Sequence, residues 1–465
     1  MNRQNLSRRF LAELEKAEQA ERQNDLDAAF AHLERAHILG QRWLTRHWTT
    51  HWRMLKIARK RRDRTEISGQ IRRLAATPLG WALGWVPKGN TGGANVHPLK
   101  PMPLPEDMVA DLDGFSVRRD VLWRIAIVLL LGTVIAAFAF VSSVRAANGE
   151  NLVIASDASQ HCQLIEGMPG AEDILLEAAL PTAFAIGGDR RSFRAGGPGR
   201  GKVFAFDPSD PVGARELEVP LPDSLRSFGG DLHIDSEGVL RLFLANRGDP
   251  RHSIEIYRVD GETGKERLIH ERSLTADGFI NPNDVHALSS SSAVVTLDKS
   301  SSAGTFAEIW EGARRSPSGR VAHINSDGMK IVADGLLSSN GIELSHDGRE
   351  AYVGELVGRA VSMYAINETG EWRRTKRISL PFAVDNLTLR DDGKLIVAGH
   401  PKLLTLAQGY QFDEAAHSPS QVTLLDPQDG EQATLMQDSG AFFSGSSVGV
   451  MDGTGKLFVG TAFGP

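Results

Sequence analysis

The chain has 465 residues, 41% of them hydrophobic and 24% charged, with Gly 47 the main excess, so it exceeds one ordinary core and predicts two or three units with a turn-rich, β-rich region. Residues 1–124 hold 22 Lys+Arg against 14 Asp+Glu, a net +8, and the whole-chain −6 then leaves −14 for the remainder, a split that argues for two compartments or two jobs. Cys162 is the only cysteine, which excludes an intrachain disulfide.

From Leu6 to Leu39 apolar residues recur at helical spacing (Phe10, Leu11, Leu14, Ala17, then Ala28, Ala29, Leu33, Ala36), with a break at Gln23–Asp25. This predicts a helical hairpin similar to one tetratricopeptide unit, a device for contact with a protein partner. A further helix after Gly40 carries His47 and His51 at i,i+4 in HWTTHW, which puts both imidazoles on one face as a metal site needs, with His32 and His37 available from the hairpin. No Cys and no HExxH accompany them, and packing beside Trp43, Trp48 and Trp52 is the simpler expectation.

The basic run Arg59–Arg64 (RKRRDR) suits solvated charge or anionic lipid, and no nucleic-acid partner is expected. Residues 86–106, with GNTGG and PLKPMPLP, read as a linker. The run HLERAHILGQ…HW…GNTGG resembles a small uncharacterised bacterial family over about 5–110. That resemblance implies only that residues 1–115 form a helical, cytoplasmic domain of unknown function.

Ile125–Val144 (IAIVLLLGTVIAAFAFVSSV) is a run of 20 residues without a charge, enough at about 1.5 Å per residue to span a hydrocarbon core of about 30 Å. Arg118, Arg119 and Arg124 crowd its upstream end beside Trp123, while Arg145 stands alone downstream. The positive-inside bias then predicts a single-pass helix within residues 116–146, with the N-terminus cytoplasmic and the remainder extracytoplasmic, periplasmic in a bacterium.

Beyond residue 155 one pattern recurs six times: a polar residue, an alternating apolar strand, an Asp/Gly turn and a second strand. The units start at Glu172, Asp231, Asn283, Asn340, Asp385 and Ser446, at intervals of 59, 52, 57, 45 and 61 residues. A period near 50 with hairpins closed by DG and EG turns predicts a six-bladed β-propeller over 155–465, and a mainly β chain overall. The innermost strand of each blade lines the central channel. Glu172, Asp231, Asn283, Asn340, Asp385 and Asn386 are therefore expected to converge at one mouth, an all-oxygen donor set suited to a hard cation such as calcium.

The stretches CQLIEGMPGAED (162–173), NPNDV (281–285), VADGLLSSNGIELSHDGREAYVGEL (332–356), VDNLTL (384–389), AGHP (398–401) and GKLFVGTAF (455–463) resemble the paraoxonase/arylesterase family, a branch of the gluconolactonase-like propellers. The resemblance implies that Glu172, Asn283, Asn340, Asp385 and Asn386 bind a catalytic calcium, that Asp173 and Asp284 hold a second, structural calcium, and that His400 stands near the active site. Two features depart from the family. Its proton-relay histidine pair would fall in Phe228-Gly229-Gly230-Asp231-Leu232-His233 and at Asn246-Arg247, and no pair survives in place. Cys162 matches the first of two cysteines that the family joins, and the sequence holds no second.

The expected function is a membrane-anchored, calcium-dependent hydrolase of lactones or esters, with Asp231 or Asp385 deprotonating water and the stretches 299–318 and 402–420 over the channel mouth setting substrate size. The alternative is a non-catalytic, calcium-stabilised propeller that binds a ligand or protein partner outside the membrane.

Overall fold

The computed structural model describes residues 3–464 except 115, 156–157, 191, 193–198, 249, 302–306, 308–310, 312–313 and 412–416, so parts of both stretches expected over the channel mouth lie outside the described residues. The chain divides into two compact units, Met1–Phe140 and Val141–Pro465.

In the first unit, helix α1 (Arg3–Arg22) turns at Asn24, which takes a left-handed φ of 61°, into α2 (Leu26–Gly40). Asp25 caps α2, its Oδ1 accepting from the Ala28 N–H at 3.0 Å. The two helices bury Leu6, Phe10, Leu14 and Ala17 against Ala29, Leu33 and Ala36, the stripes their spacing predicts. Helix α3 (Leu44–Lys60) follows, then α4 (Arg64–Ala82), capped by Asp63.

Two expectations change here. Trp48 and Trp52 stack on the exposed face of α3 with ring centroids 6.0 Å apart, while His47 and His51 point into the unit, so these two tryptophans do not pack the histidines. Residues 86–106 are no linker, because side chains of α4 hold their backbone down. Gln70 Nε2 donates to Gly92 O at 2.8 Å, Arg73 donates to Gly93 O and Val96 O at 2.7 Å each, and Glu66 accepts from the Ala94 N–H at 2.9 Å. Glycine-rich sequence marks irregular backbone, and the partners of that backbone decide whether it packs.

Helix α5 (Val117–Ala147) contains a 30-residue span, Arg118–Ala147, within which an 18-residue window has a mean hydropathy of 2.7 and is nowhere buried; by length and composition it can cross a membrane.

The second unit is a β-propeller. Five four-stranded antiparallel meanders follow one another. The first is β1 (Asp173–Leu175), β2 (Ala183–Gly188), β3 (Gly201–Asp207) and β4 (Asp210–Leu217). The second is β5 (Ser227–Ile234), β6 (Leu240–Asn246), β7 (Ser253–Asp260) and β8 (Arg267–Leu274). The third is β9 (Pro282–Ser289), β10 (Ser292–Leu297), β11 (Gly319–Asn325) and β12 (Gly328–Leu336). The fourth is β13 (Ser339–Leu344), β14 (Glu350–Glu355), β15 (Ala360–Ile366) and β16 (Trp372–Ser379). The fifth is β17 (Ala383–Leu389), β18 (Leu395–His400), β19 (Ser420–Leu425) and β20 (Gln432–Asp438).

The sixth repeat builds only the hairpin β21 (Ser446–Met451) and β22 (Leu457–Thr461) among the described residues, so the structure has five full blades where the repeat predicts six. The sequence period lies in the inner hairpin, which all six units share. Whether an outer pair follows leaves no equally regular mark.

First strands touch in the order β1, β5, β9, β13, β17, β21 and back to β1. The core lies between sheets, and strand alternation feeds it. On β6, Leu242 and Leu244 pack toward β2, while Phe243 and Ala245 pack toward β10 and β11. This puts the first residues of each inner strand at the axis.

Candidate metal and catalytic site

The expected site residues fall where the repeat places them: Glu172 precedes β1, Asn283 and Asp284 open β9, Asn340 opens β13, and Asp385 and Asn386 lie on β17. Each is at most 6% exposed. Among the described residues, the amide oxygens Asn283 Oδ1, Asn340 Oδ1 and Asn386 Oδ1 are buried without a hydrogen-bond partner. Three such acceptors from three consecutive inner strands are costly unless a cation takes them. The strands also meet directly, since Asn386 Nδ2 and Ser447 Oγ both donate to Glu172 O, at 3.4 and 2.7 Å.

The carboxylates complete the set. Burial lifts Glu172 to about 7 against the pull of Arg190, and the Asp385 charge adds to the rise. Asp385 Oδ2 accepts from His400 Nε2 at 2.7 Å, and both side chains are buried. A carboxylate only accepts, so the proton sits on Nε2, and the buried His400 Nδ1, which has no partner among the described residues, presents a lone pair. Oxygens alone, with free buried amide acceptors, fit a hard cation of the calcium type.

Asp173 and Asp284 lie one residue further along and form a second pair. Asp173 Oδ2 accepts from Gly230 N and Asp284 Oδ2 from Ile342 N, at 2.9 and 2.8 Å. Burial raises Asp173 to about 7 and Asp284 well above the usual carboxylate range, where the neighbouring Asp173 charge reinforces it. Gly229 makes room for them: a Cβ there would lie 2.2 Å from Asp284 Oδ1 and 3.0 Å from its Cα. Gly229→Ala is expected to cost about 1–3 kcal/mol, read as a lower midpoint in thermal unfolding with calcium present.

Asp231 does not join this group. It stands beside His286, three residues along β9 from Asn283 and thus about 10 Å down the channel. Its Oδ2 accepts from Ala287 N at 2.7 Å and lies 3.7 Å from His286 Nδ1, which is 3.1 Å from Glu343 Oε2. Burial pushes Asp231 up to about 6; the Asp231 and Glu343 charges outweigh burial at His286 and hold it at about 9. Asp231 thus belongs to an ion-paired cluster apart from the amide oxygens. His233 lies two residues further on, its ring edge against Phe243 at 6.5 Å.

Arginines occupy the neighbourhood of the relay. The Arg247 guanidinium sits 3.9 Å from the centre of the Phe228 ring, donates to Pro282 O at 2.7 Å and pairs with Asp298 at 3.1 Å. Arg190, 4% exposed, pairs with Glu172 and donates to Gly170 O at 2.9 Å and Ser227 O at 3.1 Å. Sequence reasoning missed Arg190 because it follows the second strand of its blade and stands outside the blade spacing. Its signal is a basic residue just after the first blade's hairpin.

Residues 154–464 match the family described as Arylesterase, and residues 4–112 match one described as protein of unknown function (DUF3703). Serum paraoxonase/arylesterase 1 of Rattus norvegicus is 24% identical over 314 residues, covering 65% of this chain and 86% of its own. Serum paraoxonase/arylesterase 2 of Homo sapiens is 26% identical over 324 residues, with the same two shares. Among solved structures, a gluconolactonase from Xanthomonas campestris is 18% identical, with 64% of this chain and 86% of that one covered and a TM-score of 0.42.

Proposed function

Because the chain belongs to the arylesterase family, we propose that its propeller is a calcium-dependent hydrolase of lactones or esters, held at a membrane by α5 with the N-terminal unit cytoplasmic and the propeller outside. The observation that carries the reading is the set of three buried amide oxygens, without a partner among the described residues, beside Glu172 and Asp385. The relatives' names supply the substrate class, and the basic upstream flank of α5 supplies the orientation.

Glu172, Asn283, Asn340, Asp385 and Asn386 would hold the catalytic ion, and Asp173 and Asp284 a structural one. Bound calcium supplies Lewis-acid polarisation of the scissile carbonyl and charge stabilisation of the developing oxyanion. Asp385 fixes the His400 tautomer through Oδ2, which leaves Oδ1 for the ion. His400 Nδ1 then takes the proton of the attacking water, with the Asp385 carboxylate stabilising the imidazolium. The Phe228–Arg247 stack stands where the family's relay would fall and carries no imidazole.

Full-length protein in detergent, assayed on a panel of lactones and aryl esters, is expected to turn over at least one of them, to lose that activity with chelator and to regain it with calcium. Chelator-insensitive turnover, or none at all, overturns the reading. The Phe228–Arg247 stack favours one second reading, a calcium-stabilised binding propeller, which would show calcium-dependent melting without turnover.

A further inference from the structure

His37 of α2 and His47 and His51 of α3 meet in the interior of the helical unit. Their ring centroids are 4.7, 4.7 and 4.8 Å apart, and His51 Nε2 lies 3.2 Å from His37 Nε2 and 3.0 Å from His47 Nε2. All three rings are buried, at 3%, 8% and 2% exposure. His32, the other hairpin histidine, turns away to Glu13, with Nδ1 2.7 Å from Oε2.

The far side of each ring decides what the near side can be. His37 Nδ1 faces Asn90 O at 2.8 Å, and a carbonyl only accepts, so Nδ1 carries the proton and Nε2 a lone pair. His51 Nδ1 faces Gln70 Oε1 at 2.7 Å. Gln70 is fixed in that orientation because its Nε2 donates to Glu66 Oε1 at 2.6 Å and to Gly92 O at 2.8 Å. His51 Nε2 is therefore also a lone pair.

Two imidazole lone pairs thus point at each other across 3.2 Å with no proton between them. One neutral His47 can donate to a single neighbour at most. A cation bound to all three Nε2 atoms relieves that repulsion at one point.

We propose that the Met1–Phe140 unit holds one divalent transition-metal ion of the zinc type on the Nε2 atoms of His37, His47 and His51. Zinc–nitrogen bonds of about 2.0–2.1 Å in tetrahedral array separate neighbouring ligand nitrogens by about 3.3 Å, close to the spacing found. Histidine ligands characteristically donate their other N–H to a carbonyl or carboxamide, as His37 and His51 do to Asn90 O and Gln70 Oε1. Three protein ligands leave one tetrahedral position for a small exchangeable ligand such as water.

The surrounding chain is shaped to the cluster. Gly92, at φ 82°, lies against the His37 ring, where a Cβ would approach Cδ2 to 2.7 Å. Glu66, 8% exposed, sits one hydrogen bond behind the ligands through Gln70 and offers negative charge to offset the ion. This gives the segment with GNTGG a role: it closes the cluster from solvent.

The test uses full-length protein stripped of metal, then loaded with excess calcium to saturate the propeller before zinc or cobalt is added. One equivalent of zinc per chain is expected to remain bound after desalting, and cobalt is expected to give the visible bands of a tetrahedral ion. His51→Ala and His37→Ala should lose that equivalent, while Gln70→Ala, which removes only a positioning residue, should weaken it about 10–100-fold. Calcium-supported hydrolysis should be unchanged in all three. Absence of both the zinc equivalent and the cobalt bands in the wild-type chain, which needs no variant to fold, overturns the proposal, as does a full equivalent retained by His51→Ala.

Discussion

Changing Asp385 to Ala is expected to bring lactone and ester turnover to background and to remove the rise in melting temperature that calcium produces. Two functions fall together because one side chain serves both. Its Oδ2 holds the His400 tautomer, and its other oxygen would face the ion. The loss should amount to about 10³-fold or more, the scale on which removal of transition-state charge stabilisation is felt. Asn340→Ala separates that role from a merely structural one by sign. Asn340 Oδ1 is buried without a partner among the described residues, so deleting it removes an unsatisfied acceptor. In chelator the variant should be as stable as the wild type or more so, since loss of an unpaired buried group is neutral or favourable. In calcium it should be less stable, and its activity gone. A variant that melts lower in both conditions, or that keeps its activity, would refute the assignment.

The second large effect is a reversal of pH dependence on metal binding, measured by thermal unfolding in chelator and in calcium from pH 4 to pH 8. In the ion-free protein, burial raises Glu172 and Asp173 to about 7 and Asp284 well above the usual carboxylate range. A raised folded-state pKa means that the native state binds protons the unfolded chain does not. Stability from these groups is full below the ordinary carboxylate range near 4 and is lost as pH climbs through about 7. Each lost proton costs on the order of a few kcal/mol, so the chelated protein should melt higher at pH 5 than at pH 8. A bound cation favours the ionised form and removes the shift, so calcium should flatten or invert the slope. By the same linkage, calcium uptake near pH 6 should release protons and affinity should rise toward pH 8. A slope identical in chelator and calcium would show that these carboxylates hold no ion.

The residues that converge were legible because a propeller is periodic. A polar residue opening each inner strand repeats at blade spacing, and the fold turns that spacing into a ring around one axis. What the spacing could not show is depth. Asp231 opens its repeat like the others, yet it sits on β5 at the level of His286 and not of Asn283. A shift of two or three residues along a strand is invisible in a count of repeats and decides which end of the channel a carboxylate serves. Arg190 was illegible for a different reason, since it comes from the stretch after β2 and meets Glu172 only through tertiary packing.

In the helical unit, the i,i+4 pair His47 and His51 was readable, and the tryptophans beside them in sequence pointed the wrong way. Neighbours at i+1 lie on a different face of a helix, so Trp48 and Trp52 were never placed to cover those rings. The third member, His37, depended on how α2 packs against α3, which the apolar stripe of α2 determines but does not announce.

Among the described residues, the β21–β22 hairpin bridges the first and fifth sheets with two strands where every other arc of the ring has four. It is the thinnest section of the wall, and Ser447 on β21 grips the carbonyl of Glu172 across that seam. Parting the seam would pull Glu172 away from Asn283, Asn340, Asp385 and Asn386, the residues proposed to share an ion with it. An ion held across it therefore works as a clasp, and the rate at which calcium leaves should be tied to the rate at which this seam breathes.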